Sequence, residues 1–185
     1  MRIGVLVPFT NTNLEPDLAT LLPDHIQPHF TRIGGYEIEE TPDSDQMMRM
    51  GETDICEALK LIAGVRPSAV LYGCTSATLT QGIAFDRKLK REIETVTGAE
   101  AITAAGALIS ELRAIDTTRI GFASPYVGEI NTQAIRFFEE AGIKTVNWAE
   151  TGRSLSSHEQ GELSPDEIFT LAVRADHPHA EAIVI

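Results

Sequence analysis

The sequence predicts an α/β fold built around a mostly parallel sheet, and three observations lead there. Short apolar runs rich in Val, Ile and Ala alternate with longer stretches of helical period, the pattern of repeated βα units. Glycines stand where the helical stretches stop, as at Gly98 and Gly142. The strand-loop-helix pattern over residues 5–18 also resembles the one over 120–137, as a duplicated unit would.

Taken in order, Ile3-Gly4-Val5-Leu6-Val7 forms the first strand, being too short for a signal-peptide core and lacking a small-residue cleavage site behind it. A helix begins near Pro16, with Thr10, Thr12 or Asn13 available to cap it. Residues 27–33 form a second strand. After the start signal Thr41-Pro42-Asp43, one long helix is expected over 43–63, because Met47, Met48, Gly51, Ile55, Leu59 and Ile62 fall on one face. Strands at 69–73, 100–102, 119–123, 143–147 and 182–185 follow, separated by helices over 83–96, 104–114, 131–141 and 165–175, the last capped by Ser164. The stretch 151–163 is polar, lacks a period and reads as a functional or mobile loop. The expected organisation is an N-terminal lobe over 1–114 and a C-terminal lobe over 115–185. Parallel strands usually lead on into a loop and a covering helix, so the second lobe is expected to be incomplete and the gene to continue beyond Ile185.

Composition narrows the classes. The 185 residues are 43% hydrophobic and 23% charged, enough to bury a core. The longest apolar stretches fall far short of the ~20 residues a membrane span needs, so a cytoplasmic protein without a membrane partner is expected. A net charge of −12 disfavours nucleic acid, which requires basic patches. Two cysteines are too few for a disulfide scaffold and read as thiols. His177-Pro178-His179 lacks a Cys or carboxylate at ligand spacing and reads as a solvated loop, so no metal is expected. Walker, G-x-G-x-x-G and G-x-S-x-G patterns are missing from the sequence, leaving nucleotide binding and triad hydrolysis without support.

Three strand ends carry candidate chemistry. In Tyr72-Gly73-Cys74-Thr75-Ser76 a thiol stands where a strand gives way to a helix, a position where helix N–H groups are expected to lower its pKa and free it as a nucleophile. The alternative is a small apolar residue closing the strand. Cys56, beside Ile55 in the long helix, reads as packing. After the first strand, Asn11 can donate and accept without adding charge, suiting a carboxylate or enolate oxygen. After the strand at 119–123, Tyr126 offers a hydroxyl as donor or acid.

Together these loops resemble the aspartate/glutamate racemase superfamily, in the branch holding maleate cis-trans isomerase and arylmalonate decarboxylase. Val7-Pro8-Phe9-Thr10-Asn11-Thr12-Asn13-Leu14-Glu15 is similar to the V-P-S-S-N-T-x-x-E opening of the isomerases, with Asn11 on the substrate-binding asparagine. Cys74 falls on the position that is Cys in isomerases and racemases and Gly in the decarboxylases, while Thr75 and Ser76 match a carboxylate-binding pair. Ala123-Ser124-Pro125-Tyr126 resembles the A-P-Y motif whose tyrosine contacts substrate. Near Ser157 or His158 the isomerases carry a second substrate-contacting asparagine; this loop has none, and Ser157 is the candidate in its place.

The resemblance implies flavodoxin-like βα lobes related by a pseudo-two-fold duplication. It also implies a cofactor-independent isomerase of a small dicarboxylic acid, with Cys74 and Tyr126 as catalytic residues and Asn11, Thr75, Ser76 and Ser157 binding substrate. The family's second catalytic cysteine would directly follow the strand at 182–185. Dimers are common in the family, so a homodimer is an expected assembly. Racemisation of an amino acid or 2-substituted acid by two thiols, and plain binding of small carboxylates without turnover, remain the alternatives.

Overall fold

Val5, Leu6 and Val7 have no exposed surface, so the first strand is covered on both faces, as a parallel sheet flanked by helices requires. The computed structural model describes residues 1–34, 42–126 and 128–185; Thr41 of the expected start signal and Val127 lie outside them. Strand β1 (Arg2–Pro8) pairs in parallel with β2 (Gln27–Ile33) and with β3 (Ala69–Tyr72), and β3 pairs with β4 (Glu100–Thr103), giving the order β2-β1-β3-β4. In a second parallel sheet β5 (Arg119–Ser124) lies between β6 (Lys144–Glu150) and β7 (Ala182–Val184). Both sheets place the first strand of the unit between the second and third. The duplicated lobes read from the sequence are therefore present.

The helices are α1 (Leu14–Leu21), α2 (Ser44–Glu52), α3 (Cys56–Ala63), α4 (Thr75–Thr97), α5 (Ala104–Ala114), α6 (Glu129–Glu140), α7 (Ser157–Gly161) and α8 (Pro165–Ala175). Asp43 and Ser164 cap α2 and α8 by accepting from Gln46 and Glu167 N–H groups. Among the described residues no helix is long and apolar enough to cross a membrane.

Three expectations are corrected. The helix over 43–63 is two helices, because Thr53 turns extended (φ −56, ψ 129) and the Asp54 carboxylate accepts from the Cys56 N–H at 2.8 Å, starting α3 afresh. The break also reassigns the buried face: Met50 is fully buried, whereas Met48 is 44% exposed. Helix α4 starts at Thr75 rather than at 83, and it bends at Gly82, whose backbone (φ 82, ψ 176) is open to glycine and strained for other residues. The stretch read as a loop contains α7, nucleated by a capping box in which Ser156 and Glu159 satisfy each other's backbone N–H.

Two apolar cores result. Leu6, Met50, Leu59, Ile62, Tyr72 and Ile93 pack beneath the four-stranded sheet. Ile120, Phe122, Phe137 and Phe138 pack beneath the other, and Ala105, Ile109 and Leu112 of α5 join them. Each fully buried Leu or Ile side chain contributes ~2 kcal/mol of transfer free energy. Helix α5 thus follows β4 in the chain and packs with the core of the following sheet.

Candidate active site

The loops after β1, β3 and β5 open into one cavity of about 220 Å³ at the carboxyl ends of their strands, where ligands of open α/β sheets bind. Asn11, Cys74, Thr75, Ser76, Tyr126 and Ser157 all line it. Cys56, half-buried at the start of α3, is not among the lining residues.

Cys74 sits at the N-cap of α4 with an extended backbone (φ −109, ψ 96) and is 7% exposed. Its Sγ lies 3.8 Å from the Ser76 hydroxyl. Gly73 beside it has no room for a side chain: an added Cβ would overlap Leu14 and sit 3.0 Å from the Leu6 carbonyl oxygen. That close approach lets the start of α1, and the Asn11 loop before it, pack directly on the strand end that carries the thiol.

The expected lowering of the thiol pKa is corrected. Burial pushes the Cys74 thiol up from 9.0, and the opposing hydrogen bonds, from the Ala77 backbone N–H and the Ser76 hydroxyl, recover only part of the change. Removing a thiolate from water costs more than two donors return. Burial likewise pushes the Tyr126 phenol up to about 12, against a hydrogen bond with Ser76 that lowers it, and negative charge on Cys74 raises it further. Ser76 therefore touches both the thiol of one lobe and the phenol of the other.

Asn11 is held by its own side chain. Its Oδ1 accepts from the N–H groups of Asn13 (3.0 Å) and Leu14 (2.9 Å), so Asn11, rather than Thr10, Thr12 or Asn13, satisfies the start of α1. The oxygen is thereby fixed, leaving the Nδ2 hydrogens as donors. Arg32 braces the same loop from outside: its Nη1 donates to the carbonyls of Pro8 (3.3 Å), Phe9 (3.3 Å) and Asn11 (2.7 Å), and its Nη2 pairs with Glu15 at 2.6 Å. Asn13 then ties the loop to α7 by donating to the Gly161 carbonyl at 3.0 Å.

Residues missed from the sequence include Gln160, Met47 and Pro42, which also line the cavity. Gln160 stands three residues, just under one turn, beyond Ser157; a helical pattern over 157–161 puts both on one wall. Met47 is buried and also lines the cavity, and its helical spacing is the same for a core face and for a cavity wall. The described lining residues carry amides, hydroxyls, a thiol, two-sided backbone and apolar groups, and none is a charged side chain.

Two like parallel-sheet lobes facing a cleft, with a buried thiol from one and a phenol from the other, define a two-lobed α/β protein with a cysteine in its site. The arylmalonate decarboxylase family model matches residues 3–185, and the chain belongs to that family. Over its whole length it is 25% identical to a maleate isomerase of Geobacillus stearothermophilus, covering 76% of that protein. The maleate isomerase of Pseudomonas putida S16, in a cysteine-to-alanine form with maleate, superposes with a TM-score of 0.88 at 21% identity, over 100% of this chain and 76% of that one. A cysteine-to-serine mutant of Nocardia farcinica maleate cis-trans isomerase, with a covalently bound succinylcysteine intermediate, gives 0.86 at 23% identity over 99% and 76%. These structural likenesses establish the fold.

Proposed function

We propose that this protein is a cofactor-independent cis-trans isomerase of a small dicarboxylic acid, with maleate the substrate to test first. The observation that carries the reading is the meeting of Cys74, Ser76 and Tyr126 in a cavity whose described walls offer neutral donors from both lobes. The covalent succinylcysteine in the Nocardia relative supports a cysteine adduct as the intermediate of such a reaction.

The chemistry follows from the groups present. Cys74 first loses its proton to solvent or to a substrate carboxylate, since its raised pKa keeps it a thiol at neutral pH. The Sγ electron pair forms a bond to one alkene carbon while the π pair moves to the neighbouring carbon and into its carboxylate. The former double bond, now single, rotates; the pair then returns, the C–S bond breaks, and the trans acid leaves with the thiolate regenerated. No electrons are gained or lost, so no redox partner is needed. Asn11 Nδ2, the Thr75 and Ser76 hydroxyls and the Tyr126 phenol serve as donors to the carboxylates and to the charge that grows on the enolate-like intermediate. With its pKa at about 12, Tyr126 keeps its proton and acts as a donor rather than a base. Ser157 completes the wall on the α7 side.

The test is proton NMR of maleate incubated with wild-type protein and with Cys74→Ala. The reading requires the maleate alkene signal to be replaced by that of fumarate with wild type and to persist with the variant. A folded wild-type protein that leaves maleate unchanged would refute maleate isomerisation.

A further inference from the structure

Tyr126 lies on a short connection between β5 and α6, preceded by Pro125 and followed, two residues on, by Gly128 with a left-handed backbone (φ 59, ψ −118). No strand ladder reaches it. Its backbone is held instead by two buried side chains, Ser124 at the end of β5 and Asn131 in the first turn of α6, the latter 1% exposed. The Asn131 Nδ2 donates to the Tyr126 carbonyl at 2.6 Å and to Glu150 Oε2 at 2.9 Å, and its Oδ1 accepts from the Ser124 hydroxyl at 2.5 Å. The Ser124 oxygen in turn accepts from the Tyr126 N–H at 3.2 Å.

Both backbone polar groups of Tyr126 are thus engaged by one network anchored on β5, α6 and β6. The amide uses its oxygen and both hydrogens, which leaves no slack in the arrangement. Glu150 can only accept, so it decides which way the Asn131 amide faces. A buried network whose members are all satisfied holds a single geometry, because any alternative strands a polar group away from water.

We infer that Asn131 is a positioning residue that sets the Tyr126 phenol against Ser76 and Cys74. The inference rests on the proposed roles of Cys74 and Tyr126. Catalytic donors tolerate little displacement, and a shift of ~1 Å at a reacting centre costs up to ~10²-fold in rate. Asn131 is not among the residues lining the cavity, so its effect on the reaction passes through Tyr126.

A double-mutant cycle tests this with two readouts. Asn131→Ala and Ser124→Ala are each combined with Tyr126→Phe, and Ser124→Ala removes only one hydroxyl, so it serves should Asn131→Ala fail to fold. The first readout is kcat for maleate. The second is the rate at which Cys74, followed by peptide mapping, is alkylated by iodoacetate relative to iodoacetamide; this ratio senses carboxylate binding beside the thiol and requires no isomerase activity. The expected result is that each substitution lowers kcat, or the alkylation ratio, by about tenfold in the wild-type background and changes it little once the Tyr126 hydroxyl is gone. Equal losses in both backgrounds would overturn the inference. If wild type does not turn over maleate, the proposed function fails, and the alkylation ratio alone then decides the positioning role by the same criterion.

Discussion

The loops after β1 and β5 occupy equivalent places in the two lobes and deliver Asn11 and Tyr126 to one cavity, yet they are held by opposite means. In the first, the residue that faces the cavity also builds the loop: the Asn11 oxygen satisfies the start of α1, and Arg32, with 41% of its side-chain surface exposed, braces three carbonyls from the solvent side. In the second, the tasks are divided: Tyr126 faces the cavity, and buried Asn131 fixes its backbone. Changes in the first loop therefore alter binding and stability together, whereas the second loop allows them to be separated.

The largest effect is expected from Asn11→Asp, which keeps the oxygen that accepts from Asn13 and Leu14 while replacing both donor hydrogens with negative charge beside a dicarboxylate. Turnover should fall by about 10²-fold or more, with the melting temperature unchanged or slightly raised, since Asp caps a helix as well as Asn does. A variant that melts several degrees lower would show that the Asn11 amide holds the fold by contacts other than this cap. Kinetics and calorimetry on the same preparation separate the two.

The second prediction uses pH, because Asn11 does not titrate and Tyr126 does so only at about 12. Cys74 is raised above 9.0, so the thiolate is the minor form below that value and its fraction grows about tenfold per pH unit there. Alkylation of Cys74 by iodoacetamide in the free protein should rise across the neutral range without levelling off before pH 9. A plateau near pH 7 would mean that the helix N-terminus outweighs burial after all.

The smallest effect is expected at the outer brace. Arg32→Met removes the hydrogen bonds to Pro8, Phe9 and Asn11 and the pair with Glu15, but water can replace much of this at an exposed site, so the loss of stability should be ~1 kcal/mol. The KM for maleate should rise while kcat changes less, because a looser Asn11 loop weakens binding before it disturbs the thiol. A fall in kcat larger than the rise in KM would place Arg32 in the same positioning role as Asn131.

Much of this was legible from spacing. Strand ends and helix stops are local features, written in short apolar runs and in residues such as Gly98 and Ser164, and they placed Asn11, Cys74 and Tyr126 each at a strand's carboxyl end. The break at Thr53 and Asp54 escaped notice because the apolar spacing runs through it unbroken, while the event that splits the helix is a single side-chain hydrogen bond. Helix α7 escaped because a five-residue helix has no period to detect, and Gln160 escaped with it.

What the sequence alone determined, then, is which side chains stand at the strand ends and in what order, since backbone propensity and hydrophobic period act over a few residues. Only the tertiary structure decided that α5 packs with the core of the second sheet, that Asn131 holds Tyr126, and that the Cys74 pKa rises rather than falls. Each of these depends on groups that the local pattern does not pair: α5 meets a sheet formed later in the chain, and the Asn131 amide reaches Tyr126 and Ser124 nearby but also Glu150 on β6. Burial is the clearest case: the helix N-terminus beside Cys74 is local, whereas the exclusion of water around it comes from packing with residues such as Leu6, Met50 and Leu59 on other elements.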